Sequence, residues 1–363
     1  MDSQAKKKVL VVATTPLRID GLTEMLITLA KMVGEACTVD FSLGVGAEEG
    51  ILLRLNQIGR VFTQPDRNTR TARYVLSMRR LIRREGYDIV HIHGNSATMA
   101  IDLLASLDAP VRITHCHNWA RQPRIKTLFL GTLMNRLVTA PVACARDAGE
   151  ALYTRPFVII HNGVDTERFQ FSQEVRDRVR KRLGLAEDAL VVGHIGRFTP
   201  QKNHERLLCI FEQVLRSDPR AVLVLCGTGE LESKIQERIR ESRLEPRKVR
   251  MMGVISDPQE YLMAFDVLVM PSIFEGLPLV GVEAQATGLP CVFSETITRE
   301  AAICPEVSFV PLEASDATWA EVIRETVVHA SGKSRAEAAG RVKAEGYDLS
   351  TVREQVRNLY GLG

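Results

Sequence analysis

The feature that most limits what this chain can fold into is a repeated unit. A short, continuously apolar run is followed by an amphipathic segment, as at Val9 to Ala13, Ala221 to Cys226 and Ala264 to Met270. A strand buried on both faces reads this way, and buried parallel strands are joined by helical crossovers. The series starts afresh at Ala189, so the residues predict two successive α/β units, each built on a parallel sheet. A chain of 363 residues is long enough for two such cores. In doubly wound sheets ligands gather at strand carboxyl ends, so the loops at those ends carry the functional reading.

The most informative loop lies between Ala264–Met270 and the run that begins at Cys291, and it reads PSIFEGLPLVGVEAQATGLP over 271–290. Pro278 suits the first turn of a helix, where its missing N–H costs nothing, and Gly288 followed by Pro290 supplies the stop. From about Leu279 to Gly281 the unpaired amides and the positive end of the helix dipole would hold a phosphate. Glu275 precedes the helix and Glu283 falls eight residues later, on an otherwise apolar segment. A carboxylate there needs hydroxyl or amide donors, and the paired hydroxyls of a ribose would supply them.

The Glu275-x7-Glu283 spacing, set in EGLPLVGVEAQATGLP, resembles the signature of glycosyltransferase family 4, the group 1 glycosyltransferases. A lone pair of acids at this spacing would read as solvated surface, and it is the Gly and Pro frame that favours the family. The resemblance implies a GT-B fold, α/β, with two Rossmann-like domains facing across a cleft. It implies Glu275 beside the donor sugar and Glu283 on the ribose. At 189–203, ALVVGHIGRFTPQKN, a strand ends in Gly196-Arg197 and a loop carrying Lys202 leads to a helix for which Asn203 is a candidate N-cap. Arg binds phosphate in bidentate fashion and Lys supplies a point charge. The pair matches the family's Arg-x4-Lys, which implies that it binds the donor diphosphate. The donor contacts implied are Gly21, Gly196, Ile255, Gly276, Leu277, Leu279, Val280 and Glu283, with Val254 the alternate to Ile255.

Toward the amino terminus, the loop TTPLRIDG carries Asp20-Gly21 where the family usually has a Gly-Gly pair, so Gly21 matches and Asp20 departs. Tyr87–Gly94 and Val111–Asn118 each place a His-x-His at a strand's carboxyl end, as His91 and His93, then His115 and His117. Four histidines could ligate a metal, but no acid or thiol accompanies them at matching spacing. An active-site wall is preferred. Family members often carry a histidine here, which makes His117 the implied catalytic residue beside Arg197, Lys202 and Glu275, with His115 the alternate. The segment 157–165, FVIIHNGVD, resembles the family's passage between domains. The expected division is 1–165 for an acceptor domain, 166–345 for a nucleotide-sugar domain, and 346–363 for a terminal helix returning to the first.

Residues 67–84 hold seven arginines and no acid. A solvated helix face is the simple reading, and attraction to an anionic membrane surface is the sharper one. The basic, partly apolar stretch 119–136 points the same way. No nucleic-acid module accompanies these arginines. Seven scattered cysteines without a CxxC read as reduced thiols, and no run approaches a membrane span, so a cytoplasmic location, peripheral at the inner face of the membrane, is expected.

The reading is therefore a retaining glycosyltransferase of the bacterial exopolysaccharide and capsule type. It would move a sugar from a nucleotide diphosphate donor, a UDP-sugar, to a glycan or lipid-linked acceptor. No cofactor is expected beyond that co-substrate, and no metal, since the sequence lacks Asp-x-Asp. The alternatives are a UDP-sugar 2-epimerase of the same fold and a catalytically silent partner subunit, to which Asp20 is the most favourable feature.

Overall fold

A computed structural model describes residues 6–117, 124–242, 248–330 and 335–362, with backbone alone for 124–128. The chain forms two compact units, Met1–Asn162 with Ser350–Gly363, and Gly163–Leu349. No helix among the described residues is long and apolar enough to cross a membrane.

The first unit holds seven strands: β1 (Lys7–Ala13), β2 (Cys37–Leu43), β3 (Val61–Thr63), β4 (Ile89–Gly94), β5 (Val111–Cys116), β6 (Ala140–Ala143) and β7 (Val158–Ile159). Its helices are α1 (Gly21–Val33), α2 (Glu49–Asn56), α3 (Thr71–Glu85), α4 (Met99–Ala105), α5 (Arg124–Leu137) and α6 (Arg146–Leu152). The sheet is parallel throughout, in the order β3-β2-β1-β4-β5-β6-β7. Chain order reverses between β1 and β4, where a doubly wound sheet opens a crevice at its carboxyl edge. The central strands are buried on both faces, and Val9, Leu10, Val12, Val90 and Ile92 are all fully buried.

The second unit repeats this plan with β8 (Val191–Ile195), β9 (Val222–Cys226), β10 (Val249–Met251), β11 (Val267–Met270), β12 (Cys291–Ser294) and β13 (Val307–Val310). Its helices are α7 (Gln173–Arg182), α8 (His204–Ser217), α9 (Glu232–Glu241), α10 (Pro258–Ala264), α11 (Leu279–Ala286), α12 (Asp316–Ala330) and α13 (Ala338–Ala344). The strand order β10-β9-β8-β11-β12-β13 reverses between β8 and β11. Valines and leucines of β8, β9 and β11 pack with Phe198, Phe211 and Trp319 into one core.

The last helix, α14 (Leu349–Leu359), belongs almost wholly to the first unit and buries Val352 and Val356. Lys7 Nζ donates to the carbonyls of Tyr360 and Gly361 at 2.8 and 2.9 Å, and Tyr360 OH lies 2.7 Å from His91 Nδ1. Six cysteines are buried and Cys209 is half-buried, all as free thiols.

The arginine run is not a uniform solvated face. Arg67 is buried, and its guanidinium meets both oxygens of Asp102 at 2.7 to 3.0 Å. Tyr74 OH donates to the same carboxylate at 2.6 Å. Arg79 and Arg83 pair with Asp108, and Arg84 with Glu85. The acids missing from the segment itself thus arrive from α4, from the turn that follows it, and from the end of α3. Arg70, Arg73 and Arg80 remain exposed with no ion pair among the described residues. Within 119–136, residues 119–123 lie outside the described residues.

Candidate active site

The second unit gathers its polar residues where chain order reverses. Lys202 lies in the loop after β8 and Glu275 in the loop after β11, and these two strands are neighbours. Lys202 Nζ is 2.5 Å from Glu275 Oε1, and the two side chains are 17% and 8% exposed. Backbone hydrogen bonds fix the approach. Ile273 N–H donates to Gln201 O at 2.8 Å, and Gln201 Nε2 donates to Phe274 O at 3.0 Å. Asn203 does not cap α8 through its side chain. Its backbone is left-handed, with φ 57°, and its Nδ2 donates to Pro271 O at 3.1 Å, which clamps the two loops together.

Four residues after Glu275, α11 starts at Leu279 with Pro278 at its N-cap and no side-chain cap among the described residues. Gly281 and Val282 turn their N–H groups back to Pro278 O, at 2.9 and 3.3 Å. The open end therefore consists of the Leu279 and Val280 amides, and Gly281 is removed from the expected donors. Glu283 lies one turn further in and is half-buried. Gly288 ends the helix with φ 66°. Arg197 is half-buried and takes part in no ion pair among the described residues. Two cations and one carboxylate thus lie in the loops after β8 and β11, and two helix amides and a second carboxylate lie in the first turns of α11.

The loops after β8, β9 and β10 form a continuous backbone shelf. Gly196 N–H donates to Cys226 O at 2.9 Å, Phe198 N–H to Thr228 O at 2.9 Å, and Gly227 N–H to Gly253 O at 2.7 Å. A Cβ on Gly227 would fall 2.0 Å from Gly196 O, and one on Gly229 would fall 2.5 Å from Phe198 O, so only glycine permits this packing. Ile255, half-buried, and Val254, exposed, follow the shelf after Gly253, while Gly276 and Leu277 continue the loop from Glu275.

Two histidines unmarked by any motif underlie Lys202. His194 on β8 donates through Nδ1 to Val269 O at 2.8 Å, which fixes its tautomer and leaves Nε2 a lone pair. That nitrogen has no partner among the described residues, and the Lys202 stem packs beside Gly196 just above. His204 sits edge-on to it at 4.8 Å. Burial pushes His194 down to about 4 and His204 to about 2, so both remain neutral beneath a cation. The signal was a polar residue inside the apolar run VVGHI.

In the first unit, His91, His93, His115 and His117 stack at ring separations of 4.1 to 5.4 Å. Strand register sets His93 opposite His115. His117 uses both ring nitrogens, with Nδ1 3.0 Å from Asn162 Oδ1 and Nε2 2.8 Å from His93 Nδ1. An amide oxygen only accepts, so His117 donates through Nδ1 and accepts from His93. His115 donates through Nε2 to Ile160 O at 3.3 Å. Burial lowers all four, His117 to about 4, which keeps them neutral. One ring nitrogen from each of His91, His93 and His115 lies within 4.8 Å of the others, the one such group among the described residues. No carboxylate or thiolate joins them, so a dication there would be buried without a counter-charge.

Asp20 now has a physical role. Its Oδ1 accepts from Thr23 N–H at 2.9 Å, so it caps α1, and Gly21 is the first helical residue. Gly21, His115 and His117 belong to the first unit, whereas Arg197, Lys202, Glu275 and the remaining donor candidates belong to the second.

Comparison with known proteins agrees with this fold. Residues 175–339 match the family model of glycosyl transferases group 1, and residues 38–168 match that of glycosyltransferase family 4. The Bacillus subtilis protein EpsF, itself a glycosyltransferase by assignment, is 34% identical over 84% of this chain and 83% of its own. An Escherichia coli enzyme, UDP-Gal:alpha-D-GlcNAc-diphosphoundecaprenol alpha-1,3-galactosyltransferase, is 30% identical over 61% of each chain. Among solved structures, HepE of Anabaena in complex with UDP superposes with a TM-score of 0.80 at 19% identity, covering 98% of this chain and all of that one. WaaG, a glycosyltransferase involved in lipopolysaccharide biosynthesis, gives 0.72 at 14% identity, covering 96% and 99%. The chain belongs to the group 1 glycosyltransferases and has the α/β architecture of the GT-B enzymes, with two Rossmann-like units.

Proposed function

We propose that the protein is a retaining glycosyltransferase that takes a sugar from a UDP-sugar and attaches it to a hydroxyl of a glycan or lipid-linked acceptor in exopolysaccharide or capsule synthesis. The observation that carries this reading is the grouping of Arg197, Lys202 and the open amides of Leu279 and Val280 around the β8–β11 reversal. Support for the uridine nucleotide comes from HepE, solved with UDP and with UDP-glucose. Support for a lipid-linked acceptor comes from the name of the E. coli relative.

In the reaction, the bond from the sugar's anomeric carbon to the β-phosphate oxygen breaks and its electron pair stays on that oxygen. The acceptor hydroxyl attacks the same face, and its proton passes to the departing phosphate. Arg197, Lys202 and the α11 amides neutralise the charge that develops, each good donor contributing about 3 kcal/mol. These cations supply the positive charge that a divalent ion would otherwise bring. Glu275 orients the sugar, Glu283 receives the ribose hydroxyls, and Gly196, Gly276, Leu277 and Ile255 line the nucleotide's path. His117 stays neutral through its bonds to His93 and Asn162.

A thermal-shift screen of nucleotide sugars tests the donor. A ligand at 100 times its dissociation constant stabilises the fold by ~2.7 kcal/mol. UDP-sugars should raise the melting temperature, and a response to other nucleotide sugars alone would refute the uridine assignment. Conversion of a UDP-sugar without acceptor would indicate the epimerase instead. The enzyme would work at the inner face of the membrane, drawn there by exposed Arg70, Arg73 and Arg80 around Leu76, which is 55% exposed. Each basic residue contributes ~1 kcal/mol at an anionic surface, so sedimentation with phosphatidylglycerol vesicles at low salt, absent with neutral ones, is the expected result.

A further inference from the structure

We propose that Glu275 is a resident counter-ion for Lys202 that makes the site distinguish an intact sugar nucleotide from the spent nucleotide. The inference rests on the diphosphate reading above and adds to it a competition between two anions for one ammonium.

Among the described residues Lys202 has one acidic partner, Glu275, at 2.5 Å, with little of either side chain exposed. The pair is not a chance encounter of flexible side chains. The bonds from Ile273 to Gln201, from Gln201 to Phe274 and from Asn203 to Pro271 tie both parent loops together. Below lie His194 and His204, neutral and carrying no charge that could substitute for either partner.

A phosphate that reaches Lys202 must draw the ammonium from Glu275. When the ligand is UDP, the carboxylate, 8% exposed, loses its cation and faces a second anion. A buried acceptor left unpaired carries a desolvation cost, larger when it is charged. A UDP-sugar avoids that cost. Its sugar is bonded to the β-phosphate, so its hydroxyls enter within reach of a carboxylate that had been touching the Lys202 ammonium, and they donate to it. Glu275 therefore opposes binding of UDP and accepts the donor. Once the sugar has been transferred, its hydroxyls leave with it, Glu275 recaptures Lys202, and UDP is released.

The test is calorimetric titration of the full chain with UDP, UDP-glucose and UDP-galactose, comparing the unaltered protein with Glu275→Gln and Lys202→Gln. Glu275→Gln keeps the shape and removes the charge. It should bind UDP about tenfold more tightly, gain nothing comparable for whichever UDP-sugar binds, and show stronger product inhibition with slower turnover. Lys202→Gln should weaken UDP and UDP-sugar alike. If Lys202→Gln weakens UDP while Glu275→Gln leaves UDP affinity unchanged or lower, the counter-ion inference is wrong and the diphosphate site stands. If Lys202→Gln leaves UDP affinity unchanged, the diphosphate site is wrong and the inference falls with it. Glu275→Ala, with folding checked by thermal unfolding, repeats the comparison should the glutamine variant not fold, and Glu275→Asp, which keeps the charge, should retain weak UDP binding.

Discussion

Replacing Lys202 by alanine separates the two tasks of one ammonium. At an effective dielectric of about 20, unit charges as close as Lys202 and Glu275 attract by roughly 6–7 kcal/mol, most of which desolvation offsets. Removing one partner of a fully buried pair costs about 3–5 kcal/mol. Lys202 is 17% exposed, so the expected loss of stability is smaller, about 2 kcal/mol. In the proposed reaction the same change removes a donor at the departing phosphate, with an expected fall in turnover of about 10²–10³-fold. Urea denaturation reads the first quantity and UDP release, followed by a coupled assay, reads the second. Adding Glu275→Gln to Lys202→Ala removes the stranded carboxylate, so the double variant should regain most of the stability and none of the turnover. Turnover within tenfold of the unaltered enzyme in Lys202→Ala, or a double variant no more stable than the single, would refute the reasoning.

Four further outcomes follow from other parts of the molecule. Asp102→Ala strands the Arg67 guanidinium, 3% exposed, and the Tyr74 hydroxyl, and should cost about 3–5 kcal/mol in chemical denaturation, whereas Arg80→Ala should change stability little and reduce vesicle binding. Gly229→Ala drives a Cβ against Phe198 O and should weaken UDP binding at least tenfold with the fold retained, as read by titration and circular dichroism. Stability should also fall in acid. His91, His93, His115, His117, His194 and His204 are held below their ordinary value of 6.5, so the unfolded chain binds more protons as pH drops below that value. Their contribution is complete above pH 6.5 and is lost toward pH 4, where His117 and His194 titrate. Melting temperatures between pH 8 and 4.5 would show a steepening decline, and a flat profile would contradict the buried neutral state.

Much of the architecture was legible because strands buried on both faces leave unbroken apolar runs, as at Ala221–Cys226 and Ala264–Met270. The α11 helix was legible for a different reason, since Pro278 and Gly288 mark its ends through backbone chemistry alone. What the sequence hid was pairing over distance. Arg67 looked like one arginine among seven until Asp102 on α4 met it in the core. Asp20 looked like a departure from the family pattern, and local capping geometry gives it a reason to be there. Asn203 satisfied the residue preference for an N-cap, yet its side chain serves Pro271 because the loop after β11 arrives beside it. The Lys202–Glu275 pair was invisible for the same reason: both residues were singled out, but only the adjacency of β8 and β11 brings them into contact.

The central claim is that the second unit grips a diphosphate through Arg197, Lys202 and the α11 amides, and its most direct test is the affinity gap between UDP and UMP. In the unaltered protein UDP should bind at least about 100-fold more tightly than UMP, the equivalent of ~2.7 kcal/mol for the second phosphate, and Arg197→Ala with Lys202→Ala should nearly close that gap while leaving UMP binding unchanged. An equal gap in the double variant, or none in the unaltered protein, would contradict it.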